Sequence, residues 1–140
     1  MALEPQAVLE SSLYVADVDR AVSFYENVLG LRRINDGYFE GGRGAALQVG
    51  SGPSVLLLFR AEITRLGGIL PAHGTTGAGH VAFRVDAGDL DKWRERLRAH
   101  SVEIEKEFAF GGNPPSIYFR DPDGNSLELA VSSIWQLKSS

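Results

Sequence analysis

The chain repeats itself once, and that repeat constrains its fold more than any other feature. An offset of about 70 to 72 residues superposes the two halves. Leu13 and Val15 then fall over Phe83 and Val85, Val18 over Leu90, Gly30-Leu31 near Ser101-Val102, and Gly52 over Gly124. A unit of this length is a whole supersecondary motif that cannot bury its apolar face alone. Two such units therefore pack as a pair.

The order within each half is strand, helix and three strands. In the first, Leu9 to Val15 alternates as a strand, Asp17 caps a helix, and Val18, Ala21, Val22, Tyr25, Val28 and Leu29 keep helical spacing up to Gly30. β-like pieces follow at 38–40, Ala45 to Val49 and Val55 to Phe59, with Gly41-Gly42-Arg43-Gly44 and Gly50-Ser51-Gly52-Pro53 as turns. In the second, Gly79 to Val85 is a strand and Asp89 caps a helix carrying Leu90, Trp93, Arg94 and Leu97. Strands at Val102 to Phe108, Ser116 to Phe119 and Leu127 to Val131 complete it. The reading is α+β: two tandem βαβββ modules, about 7–60 and 79–132, with a linker at 61–78 and a tail at 133–140. The linker is long and Gly/Pro-punctuated, as linkers, lids and mobile loops are. Ile134-Trp135-Gln136-Leu137 is apolar enough to dock. Phe24-Tyr25 and Trp93 read as core.

The last hairpin carries the anomaly. Asp121-Pro122-Asp123-Gly124 has turn chemistry: Pro122 pre-sets φ, Asp121 accepts from the turn backbone, and Gly124 takes φ > 0. Beyond it Leu127, Leu129 and Val131 share one face, and Ser126, Glu128 and Ala130 the other. A mid-strand carboxylate either meets water or points into a cavity with something to bind. The repeat adds that Glu10 falls on His80, each opening its half's first strand. The counterpart of Glu128 falls in Leu56-Leu57, which cannot bind metal.

Composition narrows the partners. A net charge of −4 and no basic run beyond Arg32-Arg33 argue against nucleic acid or an anionic membrane. The longest apolar run, Val55 to Phe59, is too short to span a bilayer, and Met1-Ala2-Leu3-Glu4-Pro5 shows no secretory pattern. The chain has no cysteine, which suits a reducing cytoplasm and leaves His, carboxylate and water as metal ligands. No nucleophile elbow, Walker loop or dinucleotide glycine pattern is present.

Three segments together resemble the vicinal oxygen chelate superfamily, the glyoxalase, bleomycin-resistance and extradiol-dioxygenase group. They are Leu13-Tyr14-Val15-Ala16-Asp17-Val18 through Phe24-Tyr25-Glu26-Asn27-Val28-Leu29-Gly30-Leu31, Gly79-His80-Val81-Ala82-Phe83, and Tyr118-Phe119-Arg120-Asp121-Pro122-Asp123-Gly124-Asn125-Ser126-Leu127-Glu128-Leu129. The resemblance implies curved mixed sheets enclosing a cavity that holds a divalent metal, usually in a homodimer. It assigns the ligands to Glu10, His80 and Glu128. Glu10 stands where His or Gln is commoner and the fourth ligand is missing, so a three-ligand site fits better than the four-ligand glyoxalase I pattern.

One imidazole and two carboxylates suit Mn, Fe or Mg, with Zn or Ni also open. The ion would chelate neighbouring oxygens of a small substrate and stabilise an oxyanion, with Glu10 or Glu128 moving a proton. Lyase, isomerase, dioxygenase and thiol-transferase chemistry all remain open. Tyr14, Arg84, Tyr118 and Arg120 are candidates for lining the cavity, the arginines for an anionic substrate. His73 is either an exposed loop histidine or a lid residue closing on substrate. The alternative function is metal-free sequestration of an antibiotic or other ligand.

Overall fold

In the computed structural model the described residues are 3–34 and 44–136. The expected β-like piece at 38–40 and the turn at 41–43 lie outside them. The chain divides between Gly77 and Ala78 into two compact units.

The first unit runs β1 (Glu10–Tyr14), α1 (Val18–Leu29), β2 (Arg32–Arg33), β3 (Gly44–Gln48), β4 (Val55–Phe59) and a short α2 (Ala61–Thr64). Its sheet has the order β1-β4-β3-β2, with β1 parallel to β4 and the other pairs antiparallel. The second unit runs β5 (His80–Arg84), a 3₁₀ turn at Ala87–Asp89, α3 (Leu90–Ala99), β6 (Lys106–Phe108), β7 (Ser116–Arg120), β8 (Ser126–Ala130) and a 3₁₀ turn at Ser132–Trp135. Its order is β5-β8-β7-β6, with β5 parallel to β8. Both sheets are mixed and four-stranded, so the fold is the expected α+β pair of modules.

The helix of the first unit forms for the reasons its sequence states. Asp17 sits in extended backbone and its carboxylate accepts the Arg20 N–H at 3.0 Å. Val18, Ala21, Val22, Tyr25, Val28 and Leu29 turn to the core, and α1 packs on β2, β3 and β4. Gly30, at φ 72°, ends it: the Gly30 and Leu31 N–H groups close on the Glu26 and Tyr25 carbonyls. Asp17→Ala leaves that first-turn N–H unsatisfied and should cost about 0.5–2 kcal/mol in urea denaturation.

Several expectations need correction, most of them in the second unit. Asp89 does not cap α3 with its side chain. Its own backbone is already helical, continuing the 3₁₀ turn, and its carboxylate faces Lys92 at 3.4 Å instead. The strand expected from Val102 begins only at Lys106. Ser101 adopts φ 57° and the Val102 N–H returns to the Leu97 carbonyl, so the residues after α3 make the exit from the helix. Trp93 is only half-buried, with the Arg96 guanidinium over its ring, and Phe24 is half-buried beside the fully buried Tyr25. Trp135, in the tail, is 72% exposed within the single chain.

The register makes the repeat quantitative. Glu10 pairs with Val55 as His80 pairs with Ser126, and the Val55 N–H bonds Leu9 as the Ser126 N–H bonds Gly79. Leu57 is therefore the twin of Glu128. It lies in a buried cluster with Ala46 and Phe59, against which Tyr14 and Val55 pack.

Candidate metal centre

β8 is an inner strand of its sheet, and its two faces differ. Leu127 and Leu129 join Phe83, Ile117 and Phe119 in the apolar core. Glu128 occupies the other face, opposite Ala82 on β5 and Tyr118 on β7. It is 6% exposed, so the solvated-face reading of this carboxylate is excluded. The small Ala82 leaves room beside it, and His80, two residues earlier on β5, reaches it: Nε2 stands 3.3 Å from Glu128 Oε1. The Tyr118 ring stacks near the imidazole, centroids 6.4 Å apart. Burial first, and then the Glu128 carboxylate, push the Tyr118 phenol above its ordinary value, so it stays a proton donor at neutral pH.

The other face of the imidazole question is settled by a carbonyl. His80 Nδ1 lies 2.9 Å from the Ser126 carbonyl oxygen, which can only accept, so Nδ1 carries a hydrogen. A neutral ring then aims the Nε2 lone pair at a carboxylate oxygen. Two acceptors at 3.3 Å repel unless a cation lies between them, a proton on Nε2 or a metal ion. The separation suits a metal: two adjacent ligands at about 2.1 Å from one ion stand roughly 3.0–3.4 Å apart. A ligating histidine whose other nitrogen donates to a carbonyl is also the arrangement that fixes the metal-binding tautomer. The pair fits a divalent cation as two of its ligands. Within neither unit, among the described residues, do three His, Asp or Glu groups gather.

The remaining sequence candidates fall as follows. Glu10 is exposed at the start of β1, in the first unit, at the twin place of His80. Tyr14 lies four residues on, on the same face of β1, roughly 13 Å along the strand. His73 is tethered within the first unit. Its Nδ1 lies 2.6 Å from the Tyr14 hydroxyl, its ring stands edge-on to Phe59, and its N–H bonds the Thr64 carbonyl, which ties the connecting segment to the first sheet. Arg84 is exposed at the end of β5. Arg120 is engaged: it forks onto Glu105 with bonds of 3.0 and 3.1 Å and donates to the Gly124 carbonyl. That hydrogen-bonded pairing holds the Glu105 carboxyl below its usual range. Sequence reasoning missed Ser126 and Asn125, whose signal was the Asx-rich turn before β8.

The fold and this pair define a class, and comparison with known proteins agrees. The family model described as "Glyoxalase/Bleomycin resistance protein/Dioxygenase superfamily" matches residues 7–129, and the chain belongs to that superfamily. It is similar to the lactoylglutathione lyase of Haemophilus influenzae, 29% identical over 136 residues, covering 87% of this chain and 90% of that protein. A shorter likeness links it to the metallothiol transferase FosB of Bacillus licheniformis, 37% identical over 57 residues, 40% of this chain and 37% of that one. The crystal structure of lactoylglutathione lyase from Agrobacterium tumefaciens superposes with a TM-score of 0.86 at 30% identity, covering 96% of this chain and all of that one. Among the described residues no helix is long and apolar enough to cross a membrane.

Proposed function

We propose that this chain is a divalent-metal-dependent enzyme of the glyoxalase/dioxygenase type, acting on a small substrate that chelates the ion through neighbouring oxygens. The observation that carries the proposal is the His80 Nε2–Glu128 Oε1 pair at 3.3 Å with Nδ1 committed to a carbonyl. Glu10, His80 and Glu128 would hold the ion, and Glu10 could come from the same chain or from a second copy. When bound, the ion supplies Lewis-acid polarisation of the substrate oxygens. The chain's own contribution is to hold and move protons. Tyr118, kept protonated beside Glu128, donates to an oxygen that gains charge, and Glu10 or Glu128 accepts a proton from substrate carbon or oxygen.

Leu57 bears on the reaction. The relatives named lactoylglutathione lyase cover most of the chain, yet Leu57 supplies no carboxylate where its twin Glu128 does. A three-ligand chemistry, of the metallothiol-transferase or dioxygenase kind, is therefore favoured over the four-ligand lyase. The test is elemental analysis of protein purified without chelator, repeated after adding Mn²⁺, Fe²⁺, Ni²⁺, Zn²⁺ and Mg²⁺ in turn. Near-stoichiometric metal that disappears in His80→Ala is the expected result. No uptake of any ion would sink the proposal and favour ligand sequestration. Where metal is taken up, turnover is sought with lactoylglutathione, with thiol addition to small electrophiles, and with vicinal diols.

The assembly proposed is a cytoplasmic homodimer. Leu3, Val8, Leu9, Leu66, Ile69, Leu70 and Trp135 are large apolar side chains left more than half exposed. Light scattering at micromolar concentration should return twice the chain mass of 15.2 kDa, and a monomer would contradict it.

A further inference from the structure

We infer that Asn125 is the positioning residue of the site: through Gly79 and Ser126 it sets the place of His80 and the nitrogen that His80 offers to Glu128. The inference rests on the metal-site reading for its consequence, and on geometry within the second unit for its substance.

Asn125 is 1% exposed and bonded on both sides of its amide. Its Nδ2 donates to Asp121 Oδ2 at 2.9 Å, and since a carboxylate only accepts, this fixes which way the amide points. Oδ1 is thereby turned to the Gly79 N–H, which it accepts at 2.8 Å. Asp121, also buried, is held in turn by the Asp123 and Asn125 N–H groups at 2.9 Å. The next residue completes the clamp. The Ser126 N–H takes the Gly79 carbonyl at 2.9 Å, and the Ser126 carbonyl takes His80 Nδ1 at 2.9 Å. Both polar groups of Gly79 and the imidazole itself are thus held by two consecutive residues of the turn into β8.

The need for such a clamp is physical. The segment before β5 carries Gly74, Gly77 and Gly79, and the first two have positive φ, so the local chain imposes little order. His80 is half exposed and opens an edge strand, so apart from the Tyr118 ring and the Glu128 carboxylate little packs against it. An imidazole in that position is free to flip or to exchange tautomers unless a fixed carbonyl holds Nδ1–H. A one-atom displacement of Ser126 relative to Gly79 would move that carbonyl. By strand register the first module carries Ser54 at the twin place of Asn125, and there the strand opens with Glu10, which has no tautomer to set.

The test uses Asn125→Ser, which installs the residue the first module tolerates at the same place, with Asn125→Ala as the second variant. Imidazole ¹⁵N spectra of the metal-free protein are recorded in a Glu128→Ala background, which removes the carboxylate that competes for the imidazole proton, at about pH 9.5, where an ordinary histidine is neutral; metal affinity is measured with Glu128 intact. With Asn125 in place, His80 should show a single tautomer with Nδ1 protonated and Nε2 bare. Either folded variant should show a mixture of tautomers, and Mn²⁺ or Zn²⁺ affinity by calorimetry should fall about ten- to hundredfold, as loss of an outer partner of a metal ligand does. Leu97→Ala, which loosens the same unit by opening a cavity, should keep the wild-type imidazole spectrum; a merely structural role for Asn125 would make the three variants alike. A folded Asn125 variant with the wild-type His80 spectrum overturns the inference. A wild-type protein that binds no metal defeats the metal reading alone, because the tautomer measurement stands without it.

Discussion

Glu128→Gln should strip stoichiometric metal from the protein while leaving it folded. The substitution keeps the volume and the position on β8 but removes the charge that makes the His80 pair attractive to a cation. Loss of an outer partner of a metal ligand typically costs ten- to hundredfold in affinity. Removing a ligand itself should cost more, beyond about a hundredfold, and any metal-dependent turnover should fall with it. Titration calorimetry with Mn²⁺ and Zn²⁺ on wild type, Glu128→Gln and His80→Ala reads this directly. Full affinity in Glu128→Gln would remove the buried carboxylate from the site, and with it the main reason for reading a metal there. Glu10→Ala belongs in the same series. Loss of affinity there would make the first module a contributor, and unchanged affinity would leave the second module's pair to find its further ligands elsewhere.

The second large effect is on stability. Phe119 is fully buried on the apolar side of β7, one residue after Tyr118 and facing the opposite way. Phe119→Ala should cost about 3–5 kcal/mol, a large share of the roughly 5–15 kcal/mol that a domain possesses. Chemical denaturation measures it, and a cost under about 1 kcal/mol would show that this face is not a packed core. The same variant links core to site. At about one hundred times its dissociation constant, a ligand that binds only the folded state returns about 2.7 kcal/mol. Excess metal should therefore rescue Phe119→Ala substantially and fail to rescue the same change made in Glu128→Gln.

Most of the architecture was legible because it is written in periods that local chemistry enforces. The helix at Asp17 to Gly30 announced both ends, and the structure has both caps. The repeat placed Glu10 over His80, and the two strand registers agree. The errors share a cause. Asp89 and Val102 were read from residue type, but a 3₁₀ lead-in and a left-handed Ser101 decided their roles, and neither has a composition signal. A separate limit concerns contacts rather than errors: Tyr14 meets His73 across 59 residues, which no window of sequence displays. Glu128 was visible as an anomaly, whereas its burial and its approach to His80 depend on the pairing of β5 with β8. The hydrogen bond that selects the His80 tautomer runs to a main-chain carbonyl, and any residue at position 126 supplies one.

The parallel pairing of β5 with β8 also governs the order in which the site is made. β7 and β8 are joined by a tight turn, so they can zip together early at small entropic cost. β5 reaches β8 only after a closure of 46 residues, from His80 to Ser126, and contacts of such separation slow folding and form late. The carboxylate would then be in place before its histidine arrives. Unfolding runs the other way: β5 is an edge strand, and edges are where a native sheet opens first. Fraying of that one strand withdraws His80 while Glu128 remains in the inner strand, so on the proposed ligand set an ion's escape should track the exchange kinetics of the β5 amides.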